Sequence, residues 1–209
     1  AKAISKALES AEEVTIVGGG FTGVEIAGEL ATKTKKRVRL LNGSARLMDR
    51  ANKEVGERAA DFLHKNGVQI LFNKKVDHAG EGLVIWCIGI TPNTSTLNFP
   101  KDSRGFILVE KTLQVKGTIN VFAGGDIIDV KEEKSAQNAE IHGKLIAKNI
   151  ERLAAGRSLK EYKPETRAML VSMGDNYSIF CYGNHVFDGL IPAVMKNVLE
   201  IMTTTRYRL

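Results

Sequence analysis

Apolar residues in the first part of the chain follow two alternating patterns. Short apolar runs at 14–17 and 38–41 are typical of strands that are covered on both faces, as in a parallel sheet. Elsewhere apolar residues recur at every third or fourth position, as on one face of a helix. The helical pattern occupies 4–11, 24–31 and 52–66, and further strand-like runs occupy 68–72 and 83–88. Strands and helices in this order predict right-handed βαβ units, and therefore an α/β fold with a parallel sheet.

The pattern changes after Pro92. Predicted β pieces follow at 106–109 and 112–115, with a buried strand at 119–123. A long helix is predicted at about 135–155, because its apolar residues recur at helical spacing. The residues expected to face inward from this helix are Ala139, Ile146, Ile150 and Leu153.

The C-terminal region predicts two strands, at 168–172 and 177–182, and a final helix at about 190–202. Large apolar residues form one stripe on this helix: Leu190, Ile191, Val194, Met195, Val198, Leu199 and Met202. With Lys196 off the stripe and Arg206 and Arg208 beyond it, the helix could lie in a membrane interface. Packing against the preceding strands or against a second subunit, as in a homodimer, is the alternative.

The composition excludes some classes of protein but does not identify a function. A chain of 209 residues with 43% hydrophobic content suits one large or two small globular domains. We expect no transmembrane helix and no secretory signal, since no apolar run is long enough. The net charge of +6 is explained by an ordinary basic surface or by affinity for anionic partners such as nucleotides.

Neither the cysteines nor the histidines indicate a metal or disulfide site. Cys87 and Cys181 lie far apart in apolar runs, so we expect buried thiols rather than a redox dithiol. The histidines, which show no metal-ligand spacing, are His64, His78, His142 and His185. No GxSxG motif is present, so hydrolase chemistry has no support.

A glycine-rich turn follows the first strand and opens a helix. Gly18, Gly20 and Gly23 occupy the three glycine positions of GxGxxG. The first permits the tight turn, the second lets a pyrophosphate approach the backbone, and the third allows close packing of helix and strand. The helix N-terminus then offers free N–H groups to the phosphates. This context predicts a Rossmann-type site for NADH or NADPH.

The second strand ends without the acidic residue that usually binds the ribose of NAD. Asn42 stands at that position, and Ser44 and Arg46 follow. Without a carboxylate to repel it, a 2′-phosphate is allowed, and Arg46 could pair with it. Arg46 is equally suited to a solvated loop. The sequence therefore permits both NADH and NADPH.

Four segments together resemble the two-dinucleotide-binding flavoprotein family. These are VTIVGGGFTGVEIAGEL at 14–30, WCIGITPN at 86–93, TINVFAGGD at 118–126 and AQNAEIHG at 136–143. They are similar, in content and order, to type II NADH dehydrogenases and to the apoptosis-inducing-factor-like and ferroptosis-suppressor-like oxidoreductases. The resemblance implies a Rossmann-type NAD(P)-binding domain at 1–92, part of an FAD-binding domain at 93–157, and a small α+β C-terminal region at 158–209.

The resemblance also implies roles for individual residues. Glu25 would orient the nicotinamide and Gln137 would lie beside the flavin, and these two are the expected catalytic residues. Gly89 and Pro92 would mark the return to the flavin domain. The expected flavin contacts are Gly125, Asp126, Ala136 and Gln137. Glu25, Asp126 and Gln137 are also ordinary polar residues for a helix surface or a turn.

Two departures from the family affect the expected function. No earlier GxGxxG precedes residue 14, and residues 76–82 are short where the family inserts a β-meander. Either the missing parts exist in a longer protein, or this form does not hold FAD tightly. The disulfide-reductase branch is disfavoured because no CxxxxC pair is present.

The expected function is that of an FAD-dependent NAD(P)H dehydrogenase that passes electrons to a quinone or a similar small acceptor. The alternative is a non-catalytic, regulatory NAD(P)-binding module that has lost its flavin. A protein that binds nucleic acid is a weaker third idea. The expected location is cytoplasmic, mitochondrial or peripheral to a membrane, not secreted.

Overall fold

The strands and helices of the first part of the chain form a parallel sheet with its connecting helices. The computed structural model describes residues 2–77, 82–165 and 167–207. The strands are β1 (Glu13–Val17), β2 (Arg37–Leu41), β3 (Gln69–Leu71) and β4 (Leu83–Trp86). The helices are α1 (Lys2–Ser10), α2 (Phe21–Lys33) and α3 (Lys53–Lys65).

The four strands are parallel and lie in the order β3-β2-β1-β4. Val14 pairs with Val38 of β2 and with Leu83 of β4, so β1 is a central strand. Val14 and Ile16 are fully buried, as their position between covered faces requires. The predicted α/β fold with a Rossmann-type parallel sheet is confirmed.

A second, antiparallel sheet belongs to the same compact unit. It contains β5 (Met169–Ser172), β6 (Ser178–Tyr182) and β7 (His185–Gly189), and it is followed by α5 (Leu190–Tyr207). Helices α2 and α3 contact strands of both sheets. A Cβ atom at Gly28 of α2 would lie 2.7 Å from the Cα of Met173, so only glycine allows this close approach.

The second compact unit is Ile90–Glu165, whereas everything described after it packs with the first unit. These units differ from the three predicted regions, because residues 158–165 belong with the second unit and the C-terminal strands and helix with the first. The close packing of Met173 on Gly28 is the physical reason. Sequence patterning alone does not report which distant segments share a core.

The second unit contains α4 (Ala136–Ala154) and an irregular chain that surrounds an apolar core. The β pieces predicted at 106–109 and 112–115 form only isolated bridges, such as Val109 with Val115. Leu113 has a φ of 64°, so the chain turns too tightly there for regular strands. The strand predicted at 119–123 is also wrong: Ile119 is 79% exposed, and of this segment only Phe122 makes a bridge.

Helix α4 buries polar residues where the sequence predicted apolar ones. Ile150 and Leu153 are exposed, whereas Asn138, His142 and Asn149 are buried. The Asn149 side chain donates to the carbonyls of Thr112 and Lys160. Irregular backbone leaves carbonyl and N–H groups that need partners, so polar side chains share the inner face of α4 with apolar ones. Ile146 packs against the core as predicted, whereas Ile150 and Leu153 do not.

Helix α5 packs on the second sheet, but most of its apolar stripe remains exposed. Ala193 is buried, while Leu190, Ile191, Val194 and Val198 are each about half exposed or more. Among the described residues, no helix is long and apolar enough to cross a membrane. His78 and Arg208, named in the sequence analysis, lie outside the described residues, and the side chain of Arg206 is not described.

Candidate functional site

The glycine-rich turn between β1 and α2 has the geometry that a close ligand requires. Gly18 has a φ of 113°, and a Cβ there would lie 2.4 Å from the carbonyl oxygen of Cys87. A Cβ at Gly23 would lie 1.8 Å from the carbonyl oxygen of Gly18. Both positions are therefore restricted to glycine by the packing of β1, β4 and α2.

Gly20 differs from its two neighbours in the motif, because its Cβ direction is open. A Cβ there would meet nothing within 4 Å. Gly20 is the N-cap of α2, and no side chain caps the helix. The first-turn N–H groups therefore have no side-chain acceptor at the cap, and the positive end of the helix dipole faces this open space. The turn fits the pyrophosphate of a dinucleotide.

The side chain of Asn42 is hydrogen-bonded to this turn. It is 6% exposed, and its Oδ1 accepts a hydrogen bond from the backbone N–H of Gly19 at 3.2 Å. Its Nδ2 donates to the carbonyls of Ser44 and Arg46. Both ends of the amide are thus bound to backbone, so Asn42 holds the glycine-rich turn and the following loop together.

Arg46 is likewise bound within its own loop. Its guanidinium donates to the carbonyl oxygens of Met48, Asp49 and Ala51. Ser44 donates its hydroxyl to the carboxylate of Asp49 at 2.8 Å. A guanidinium has five N–H donors, so the predicted pairing of Arg46 with a 2′-phosphate would have to use the donors that these three bonds leave. Asp49, which no sequence motif singled out, places a carboxylate in the loop that follows Asn42.

Glu25 lies one turn into α2, and its carboxylate faces the second sheet. Its Oε1 accepts from the backbone N–H of Ser172 at 3.2 Å. Burial raises the pKa of Glu25, while the Ser172 N–H and the charge of Lys196 lower it in part. Lys196 donates to Ser172 Oγ at 2.9 Å and pairs with Glu200 at the same distance.

Ser172 and Lys196 are site residues that sequence reasoning missed. Ser172 is only 4% exposed and carries no sequence motif. Lys196 gave one signal, since it interrupts an otherwise apolar helix. A lysine in such a helix is compatible with a buried partner, but nothing in the sequence identifies Glu25 or Ser172 as that partner.

The segment after β4 includes Gly89 and Pro92. Gly89 has a φ of 109°, a conformation that favours glycine. Pro92 accepts a hydrogen bond at its carbonyl from the N–H of Thr94 at 3.0 Å. No contact of these two residues assigns them to a ligand.

The predicted flavin residues of the second unit lie together at one end of α4. Gly125 has a φ of 75° and opens a single 3₁₀ turn, Gly125–Ile127. Asp126 is exposed on this turn. A Cβ at Gly125 would lie 3.5 Å from the Cβ of Ala139, which places the turn beside the first turns of α4.

Ala136 and Gln137 are exposed in the first turn of α4. Ser135 caps that turn, because its Oγ accepts from the N–H of Asn138 at 3.2 Å. An exposed carboxylate and a helix start beside each other fit the hydroxyl groups and the anionic ring of a flavin. The described residues contain no cluster of three or more His, Cys, Asp or Glu side chains that could hold a metal ion, and both cysteines are free thiols.

Comparison with known proteins identifies the family. Residues 1–143 match the family described as pyridine nucleotide-disulphide oxidoreductase. The chain belongs to this family. The resemblance to two-dinucleotide-binding flavoproteins that the motifs suggested is therefore confirmed.

Individual relatives agree with this assignment. The chain is 32% identical to ferroptosis suppressor protein 1 of Mus musculus, with 82% of this chain and 53% of that protein covered. It is 28% identical to apoptosis-inducing factor homolog A of Dictyostelium discoideum, with 94% and 59% covered. The chain thus spans a little over half the length of these curated relatives.

Solved structures show the same fold. The water-forming NADH oxidase from Lactobacillus brevis bound to NADH matches with a TM-score of 0.70 and 22% identity, over 86% of this chain and 44% of that one. A NAD-dependent persulfide reductase from A. fulgidus matches with a TM-score of 0.69 and 19% identity, over 88% and 38%. At these identities the likeness concerns the fold.

Proposed function

We propose that this chain supplies the pyridine-nucleotide site and part of the flavin site of an FAD-dependent NAD(P)H:quinone oxidoreductase, or of one with a similar small acceptor. The observation that carries the proposal is the open position at Gly20, at the uncapped start of α2 and one turn before Glu25. The family and the relatives named above support the same class of reaction.

The residues of the first unit would bind and orient the nucleotide. The backbone of Gly18–Gly20 and the N-terminus of α2 would hold the pyrophosphate. Glu25, which burial and the Ser172 N–H keep in one position, would orient the nicotinamide. When bound, FAD would accept a hydride and pass electrons to the acceptor.

The residues of the second unit would hold part of the flavin. The exposed carboxylate of Asp126 suits the hydroxyl groups of the ribityl chain, because a carboxylate accepts several hydrogen bonds. Gln137 and the N-terminus of α4 would lie beside the ring and favour its anionic reduced form.

Titration with NADH tests the nucleotide site. In Gly20→Val, the new side chain would occupy the space of the pyrophosphate, so we expect saturable binding to disappear. Gly143→Val is a matched control, because Gly143 is an exposed position of α4 and a Cβ there also meets nothing within 4 Å. Affinity like that of the wild type in Gly20→Val would remove this turn from the site.

Flavin absorbance of the purified chain, before and after addition of FAD, tests the second half of the proposal. Saturable flavin binding supports the oxidoreductase. A chain that binds NADH but takes up no flavin would instead support the non-catalytic NAD(P)-binding module.

A further inference from the structure

A hydrogen bond to an imidazole ring of α4 holds the Gly125–Asp126 turn against this helix. The backbone N–H of Gly125 donates to Nδ1 of His142 at 3.0 Å. A Cβ at Gly124 would lie 2.8 Å from the Cβ of His142, so this part of the turn lies directly against the helix. His142 is 1% exposed.

This hydrogen bond determines where the ring carries its proton. An imidazole nitrogen that accepts from an N–H has no proton of its own, so a neutral His142 carries its proton on Nε2. Nε2 lies 2.9 Å from Oε1 of Glu132, whose side chain is 8% exposed, although this close contact lacks the angles of a hydrogen bond. The second oxygen of Glu132 accepts from the hydroxyl of Tyr162 at 2.6 Å.

Tyr162 also restricts the plane of the ring. Its aromatic ring meets that of His142 edge-on, with centroids 4.5 Å apart and an interplanar angle of 77°. The turn, His142, Glu132 and Tyr162 thus form one continuous buried chain of contacts. The contacts at Gly125 and at the Tyr162 hydroxyl are hydrogen bonds, and Nε2 of His142 lies close to Glu132. A rotation of the buried ring would lose these contacts, which is costly for buried polar groups.

We propose that His142, oriented by Glu132 and Tyr162, is a positioning residue for Asp126. It holds the Gly125–Asp126 turn in the conformation that leaves the Asp126 carboxylate exposed for a hydroxyl-bearing ligand. That the ligand is the ribityl chain of a flavin rests on the proposed function. The positioning itself is a property of this chain and can be measured without any cofactor.

Two variants separate the two ring nitrogens. His142→Asn places an acceptor oxygen near the position of Nδ1 and loses the link to Glu132. His142→Gln reaches toward Glu132 and leaves the Gly125 N–H without its acceptor. We expect amide exchange at Gly125 to rise about tenfold in His142→Gln, and to remain near wild type in His142→Asn.

A general loss of stability would raise exchange throughout the unit in both variants alike. Equal exchange at Gly125 in both variants would therefore overturn the proposal. A measurement on the wild type tests the proposed arrangement of the His142 ring even if His142→Gln does not fold. ¹⁵N spectra of the imidazole should show a bare Nδ1 and a protonated Nε2, and a proton on Nδ1 would refute the arrangement.

FAD titration then connects the positioning to the ligand. If the chain takes up FAD, we expect weaker uptake in His142→Gln than in His142→Asn, with unchanged NADH affinity in both. Equal FAD uptake in the two variants would contradict the positioning role. If the wild type takes up no FAD, the flavin part of the proposed function fails, and exchange at Gly125 still decides the role of His142.

Discussion

Glu25 of α2 and Lys196 of α5 converge on the same residue of β5. Glu25 accepts from the backbone N–H of Ser172, and Lys196 donates to the hydroxyl of Ser172. The charge of Lys196 lowers the pKa of Glu25 against the larger effect of burial. The second sheet and α5 therefore set both the position and the ionisation of the residue expected to orient the nicotinamide.

Replacement of Lys196 should move the titration of Glu25. In Lys196→Met the favourable charge is lost while burial remains, so we expect the pKa of Glu25 to rise further. The pH dependence of the Glu25 carboxyl signal in ¹³C spectra measures this. Lys144→Met is the matched control, because the exposed Lys144 also forms an i,i+4 pair within its helix, with Glu140. An unchanged Glu25 titration in Lys196→Met would show that the lysine has no electrostatic effect there.

Neutralisation of Glu25 should stabilise the fold in a pH-dependent way. Burial is the main cause that raises the pKa of Glu25 above 4.5, so the folded chain holds this proton more tightly than the unfolded chain. Stability therefore falls as pH rises from about 4.5 through the folded pKa, and the cost remains at neutral pH. Glu25→Gln keeps an oxygen for Ser172 and removes the charge.

We accordingly expect Glu25→Gln to raise the melting temperature at neutral pH, by about 2–4 °C for each kcal/mol gained, and to change it little below pH 4.5. Activity with NADH or NADPH should fall in the same variant. Glu151→Gln, at an exposed position of α4, serves as control. A gain of equal size at both pH values would mean that the charge is not its cause.

Local signals explain why the first unit could be predicted from sequence. The run 14–17, the glycines that follow it and the spacing of Val24, Ala27 and Leu30 each favour the structure that all of them share. Strand β7 forms a hairpin with β6, and it was missed because part of its support comes from a distant helix: Asp188 pairs with Arg58 of α3. No local pattern reports such contacts.

The sequence predicted the parts of the candidate site that depend on backbone geometry. It did not predict the parts that depend on contacts between side chains that are distant in sequence. Gly18, Gly20 and Gly23 have the geometry that the motif requires. Asn42 looked like a ribose-binding position, but its amide bonds to backbone groups of the glycine-rich turn and of the loop that follows Asn42. His142 looked like an ordinary histidine, since only the folded chain brings Glu132 and Gly125 to its two nitrogens.

Asn42→Asp should lower the affinity for both NADH and NADPH rather than favour one of them. Sequence alone suggests that a carboxylate here would favour NADH. In the structure, however, Nδ2 of Asn42 donates to two carbonyl oxygens. A carboxylate has no hydrogen to donate and would repel both oxygens. We expect a loss of about 1–3 kcal/mol in stability, and a parallel fall in affinity for NADH and NADPH in calorimetric titrations. Asn120→Asp, at an exposed position of the second unit, is the control. A variant with intact stability and a gain for NADH alone would restore the ribose-binding interpretation.

The exposed apolar stripe of α5 has no partner within the described residues that would cover it. Ile191, Val198 and Met202 are 71%, 49% and 63% exposed, so packing within this chain does not account for the stripe. Large exposed apolar patches mark interaction sites, and an apolar stripe on a chain of net charge +6 suits an anionic lipid surface.

We expect the intact chain to co-sediment with vesicles that contain anionic lipid, and less so at high salt, because the electrostatic part is screened. The triple variant Ile191→Ser, Val198→Ser, Met202→Ser should lower this affinity more than about tenfold, since each lost apolar group contributes on the order of 1 kcal/mol or more. These positions are exposed, so the variant should keep its fold. Ile119→Ser is the control, because Ile119 is 79% exposed in the other unit and lies outside the stripe. The opposite outcome is that the intact chain does not bind vesicles and sediments as a dimer, whereas the triple variant sediments as a monomer. In that case the stripe is a contact between two copies of the chain, and the membrane interpretation is wrong.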